Sequence, residues 1–208
     1  MNELLTYLAI FGLSLWLLAR QNVVENYNSN LMQGQLRRLW QDAHQNLIKN
    51  DKSRAERSLL ALLKLDGKNY GAYNKLGIIY AQQGLKKEAI ECFEISSGIN
   101  QNASSLHNLG LIYFNDGQYE KAARAFEQSI DKDPENPGRR IILAKTLEKM
   151  EEPKAAIKEL EKAHKLKPGG PASSQLAHAY KQIGAPDLAE QVEQESKKLK
   201  SLSASTHN

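Results

Sequence analysis

The side chains able to carry chemistry are few and scattered. Histidine stands at His44, His107, His164, His178 and His207, and the only thiol is Cys92. A helical zinc-hydrolase site needs two imidazoles four residues apart with a glutamate between them, and no such pair occurs. One cysteine permits neither an internal disulfide nor a Cys-rich metal cage. There is no GxxxxGK[ST] or GxGxxG stretch to cradle a phosphate, and no GxSxG turn to expose a serine nucleophile. Cys92 has no His/Asp context of its own and reads as a small packing residue. The histidines are expected to be solvated or to line a binding face. The expectation is a protein without enzymatic activity, metal or cofactor.

Composition narrows the class further. The 208 residues are 41 % hydrophobic, with 28 Lys+Arg against 24 Asp+Glu and a formal charge of +4. That is one domain's worth of chain with material for a core. The charge is +4 over 36–69, −3 over 103–136 and +4 over 137–169. No block is dense enough for a nucleic-acid-binding arm, so no nucleic-acid partner is expected.

Any binding face must be positioned by two kinds of element. The first is Leu4–Ala19, LLTYLAIFGLSLWLLA, which is free of charge and apolar on every side. As a helix it spans about 24 Å, close to a hydrocarbon core once Arg20 snorkels. A basic n-region and a small-x-small cleavage site are both missing, so an uncleaved anchor over 1–20 is expected. Arg20, Arg37 and Arg38 follow the segment and only Glu3 precedes it. That places the bulk of the chain in the cytoplasm, at the inner membrane of a bacterium. The basic 36–69 block would lie near the anionic leaflet. The opposite topology, a periplasmic assembly factor on a signal anchor, would make a phosphatase fused after residue 208 active. Residues 21–35, rich in Asn and Gln, are a spacer, either helical or flexible.

The second kind of element is a repeat. Tyr73-x-x-Leu76-Gly77-x-x-Tyr80 returns as Leu106-x-x-Leu109-Gly110-x-x-Tyr113. Gly84, Ala89 and Phe93 return as Gly117, Ala122 and Phe126. Leu143, Ala144, Leu147, Ala156, Leu160 and Pro168 continue the template, as do Leu176, Ala177, Tyr180, Gly184 and Ala189. The units are 36–69, 70–102, 103–136, 137–169 and 170–203, with 204–208 a disordered tail. Each should be two antiparallel amphipathic helices. Small residues such as Gly77 and Gly110 allow close approach, Phe93 and Phe126 fill the space, and Gly84, Gly117 and Gly184 end the first helix at positive φ.

At these positions the chain resembles the tetratricopeptide repeat family. The resemblance implies an all-α, right-handed solenoid, here preceded by one transmembrane helix. It also implies a binding groove lined by the first helix of each unit, which takes a peptide or helix of another protein. Carried over by position, the groove residues are Asn74, Ile78 and Gln82, then His107, Leu111, Phe114 and Asn115. Ile141, Lys145, Glu148 and Lys149 follow, and finally Ser174, His178, Lys181 and Gln182. The groove reads as apolar and amide-rich in the middle and basic towards its C-terminal end. The expected role is a membrane-anchored adaptor or scaffold in assembly of a membrane or envelope complex. The partner's identity and the oligomeric state are not legible.

Overall fold

A computed structural model describes residues 2–205, with side chains at 13, 15–199 and 201–202. Ten helices follow one another among the described residues. They are α1 Asn2–Ile48, α2 Lys52–Leu65, α3 Tyr70–Gln82, α4 Lys86–Ile99, α5 Ala103–Asn115, α6 Tyr119–Lys132, α7 Pro137–Lys149, α8 Pro153–Leu166, α9 Pro171–Gln182 and α10 Pro186–Ser205. The chain forms two compact units, divided at Ala72/Tyr73.

In the first unit α1 and α2 pack as an antiparallel pair around Ala43, Ala55, Leu59 and Leu62, all buried. Asp51 caps α2 by accepting from the Arg54 amide at 3.0 Å. Residues 21–35 belong to α1 without a break. The continuous helix therefore sets Leu36 about 24 Å beyond Arg20 along the axis. With α1 upright in a membrane, the basic 36–69 block would stand well away from the headgroups, contrary to the expectation above. Among the described residues no helix is long and apolar enough to cross a membrane. The expected span, Leu4–Ala19, falls largely outside them, because only Leu13 and residues 15–19 of it have described side chains. Likewise the tail's last three residues, 206–208, lie outside the described residues, while α10 continues to Ser205.

The second unit holds the repeated pairs. Phe93, Phe126 and Leu160 are buried at matching positions of α4, α6 and α8, with Ala89, Ala122 and Ala156 beside them. A Cβ built on Gly77 would sit 2.6 Å from the Phe93 ring, and one on Gly110 2.6 Å from the Phe126 ring. The aromatic of each second helix thus occupies the space that a side chain on the first would need.

The turn inside each repeat is the same piece of backbone five times. The amides of Asp51, Leu85, Gln118, Glu152 and Ala185 donate to the carbonyls of Asn46, Tyr80, Tyr113, Leu147 and Tyr180, at 2.8–2.9 Å. This is the six-to-one bond of a Schellman ending, which requires a left-handed residue just before the donor. Gly84, Gly117 and Gly184 supply it at φ 80°, 73° and 76°. Asn50 and Glu151 supply it in the remaining turns, at φ 57° and 60°. Asparagine tolerates that region; a glutamate there carries strain of roughly 1–2 kcal/mol. Glu151→Gly should therefore stabilise the protein by about 0.5–1 kcal/mol after the added entropy of the unfolded chain is subtracted. An unchanged or lower denaturant midpoint would contradict this.

Successive repeats meet through buried polar pairs. Ser96 Oγ lies 2.7 Å from Ser105 Oγ. Arg139, only 9 % exposed, donates to Ser129 Oγ at 2.7 Å, to the Ala103 carbonyl at 2.9 Å and to Asp133 at 3.1 Å. His164 Nδ1 lies 2.9 Å from Ser173 Oγ and its Nε2 3.2 Å from Glu195. His164 is thus buried and tied to α9 and α10, neither solvated nor on the expected binding face. Buried polar atoms are costly unless paired, so these contacts fix how each repeat seats on the last.

Candidate partner-binding face

The candidate residues lie on α3, α5, α7 and α9, all within the second unit. Spacings of three and four put Asn74, Ile78 and Gln82 on one side of α3, and Leu111, Phe114 and Asn115 on one side of α5. Ile141, Lys145, Glu148 and Lys149 share a side of α7, as Ser174, His178, Lys181 and Gln182 do of α9. Ile78, Leu111, Phe114 and Ile141 are half-buried, and the last three pack on the core. Lys145, Glu148, Lys149, Ser174, His178 and Gln182 are exposed.

Several of these groups are brought together. Asn74 Oδ1 accepts from Ser105 Oγ at 3.2 Å and from Asn108 Nδ2 at 3.1 Å, joining α3 to α5. Phe114 meets Tyr119 edge-on, ring centroids 5.6 Å apart, which fixes its ring from behind. The Lys145 ammonium lies 5.7 Å from the Phe114 centroid, joining α5 to α7 as a cation–π pair. Between α7 and α9, Lys145, Glu148, Ser174, Gln175 and His178 line an open depression of about 350 Å³.

Two candidates sit differently from the expectation. His107 turns inward, its ring 5.5 Å from that of Phe126. Its Nδ1 is buried and has no hydrogen-bond partner among the described residues. Burial first, then the nearby Arg139 charge, holds its pKa below the usual imidazole value, so it serves as a neutral packing ring. Lys181 donates to Glu193 Oε1 at 2.7 Å. That bond and charge lower the Glu193 pKa. Lys181 is thus ion-paired with α10, while Lys145 and Lys149 flank Glu148 on α7.

Ser105, Asn108 and Tyr119 were not legible as contributors. Tyr119 opens α6 and shares no period with Phe114, so only the packed structure joins them. Cys92 is buried, and desolvation first, then Glu91 and Glu88, pushes its thiol up to about 11, so it remains an unreactive packing residue. Among the described residues no cluster of His, Cys, Asp and Glu could hold a metal ion.

The recurring Schellman turn, the glycine–aromatic contact and the paired helices give the helix-pair architecture of tetratricopeptide repeats. Residues 49–96 match the family model described as tetratricopeptide repeat. Residues 82–163 match that of the anaphase-promoting complex, cyclosome, subunit 3. Among solved structures the chain is similar to MamA proteins. One MamA crystal structure shares 24 % identity, with 82 % of this chain and 94 % of that chain covered and a TM-score of 0.69. A second shares 25 %, covering 78 % and 96 %, with a TM-score of 0.68. MamA from Desulfovibrio magneticus RS-1 shares 16 %, covering 80 % and 95 %, with a TM-score of 0.67. No curated protein matches in sequence.

Proposed function

We propose that this protein is an adaptor that holds a partner protein on the α3–α5–α7–α9 face while Leu4–Ala19 fixes it to a membrane, in assembly of a membrane or envelope complex. The observation that carries the reading is the half-buried run Ile78, Leu111, Phe114 and Ile141 with Lys145 over the Phe114 ring. An aromatic braced from behind and open in front is a low-entropy anchor for an apolar side chain of a partner. Lys145 and Lys149 beside it would steer an acidic portion of the same segment. The arginine bias after residue 19 supports a cytoplasmic, inner-membrane placement of the repeats.

The test is a photo-crosslinkable residue at position 111 in the full chain, with the exposed position 127 of α6 as control. A partner captured at 111 and not at 127 is the expected result. Phe114→Ala should then weaken binding of that partner by about 2 kcal/mol, roughly 30-fold. Lys145→Glu with Lys149→Glu should mainly slow association and reduce its salt dependence. Equal capture at both positions, or unchanged affinity in both variants at matched melting curves, would move the site off this face.

A further inference from the structure

Where the third repeat seats on the fourth, one titratable ring occupies a place that suits only its neutral form. His107 on α5 rests on Phe126 of α6, ring centroids 5.5 Å apart, and its Nδ1 is buried without a hydrogen-bond partner among the described residues. A neutral imidazole can carry its proton on Nε2 and leave only a lone pair at Nδ1. An imidazolium has a donor at both nitrogens, and the one at Nδ1 would be a buried charged donor with no acceptor. Besides burial, the Arg139 guanidinium of α7 acts on the ring with a like charge. Bonds to Ser129 Oγ, the Ala103 carbonyl and Asp133 hold Arg139, so it cannot move aside. Asp133 stands at the rim, its side chain 40 % exposed against 11 % for Arg139, and solvent screens its offset of that charge.

No other element relieves a proton on this ring. The buried side of α6, from Ala122 to Ile130, holds no ionisable residue. Tyr113, the other titratable residue of α5, meets Lys121 instead, at 5.5 Å from its ring centroid. Asn74, which joins α3 to α5, is neutral, and Arg140 is turned to Glu159 of α8. We propose that His107 is an acid-sensitive latch between the third and fourth repeats: on protonation its ring leaves Phe126 and the α5–α7 joint loosens. Leu111 lies one turn further along α5 and Ile141 two residues further along α7, so the candidate face shares both helices with the joint. The latch itself needs no partner on that face. Its sign is fixed, because the folded chain holds this proton less tightly than the unfolded chain does. The stability contributed by the neutral ring is complete above the unfolded imidazole value, about 6.5, and is lost as pH falls through it towards the lower folded value.

The test follows denaturant midpoints of the full chain from about pH 7.5 to about pH 5.5, for the parent, His107→Phe and His107→Gln. Other histidines and the carboxylates are common to all three, so the difference between chains isolates position 107. The parent's unfolding equilibrium constant, relative to either variant, should rise roughly two- to tenfold over that range. Phenylalanine keeps the ring contact and glutamine the polarity, so one variant failing to fold leaves the other to decide. The His107 ring signal in nuclear magnetic resonance, identified by its loss in a variant, should titrate below about 6.5 in the folded chain. Amide exchange in α5 and α7, corrected for its intrinsic pH dependence, should quicken at the acid end in the parent alone. Parallel pH curves for parent and variants, a ring that titrates at or above the ordinary value, or α5 and α7 exchange equal to that of the variants would each overturn the proposal.

Discussion

Replacing Phe126 by alanine should cost the protein about 3–5 kcal/mol of stability, more than half of what many domains possess. The ring is fully buried on α6. It fills the space against Gly110 of α5, with His107 tilted onto it at 5.5 Å. Removing it leaves an apolar cavity between two helices whose approach is already set by a glycine, so the walls cannot collapse far. Phe93, 1 % exposed and seated against Gly77, should behave alike when changed to alanine. The effect should appear in chemical denaturation as a lower midpoint. A melting point within a degree of the parent would mean that the helix pairs are not in the register described.

The parts of the fold that follow period and residue type were open to sequence reading. Thirty-three residues separate Gly77 from Gly110, Gly84 from Gly117 and Phe93 from Phe126, and structure and sequence repeat together there. What repeats in backbone but not in residue type was hidden. Asn50 and Glu151 make the same left-handed turn as Gly84, yet neither residue type announces it. Ser105, Arg139 and Ser173 occupy equivalent buried junctions, on Ser96, Ser129 and His164, so the pair changes from Ser–Ser to Ser–Arg to His–Ser while the joint stays satisfied. The candidate face was legible as positions but not as electrostatics. Position alone could not show that Lys181 faces Glu193 or that Lys145 crosses to Phe114. The helical path of 21–35 stayed open because asparagine and glycine there oppose a helix locally, and only the continuous backbone decides it.

Gly110→Leu, on the surface shared by α5 and α6, should lower stability by about 3 kcal/mol. An ideal Cβ at Gly110 lies 2.6, 2.7 and 2.9 Å from three carbons of the Phe126 ring, well inside carbon–carbon contact distance. The ring is boxed in and cannot swing away, so either helix must shift. Helix propensity works in the opposite direction, since glycine is worth about 1 kcal/mol less than alanine inside a helix. Gly98 on α4, where a Cβ meets nothing, isolates that gain: Gly98→Ala should be neutral to stabilising. The decisive measurement is the double variant Gly110→Leu with Phe126→Ala. The leucine then enters the space that the ring has left, and the two losses should fall short of their sum by at least about 1 kcal/mol. Strict additivity would mean that the inserted leucine meets something other than Phe126, and that the glycine–aromatic contact does not set the helix spacing in this repeat.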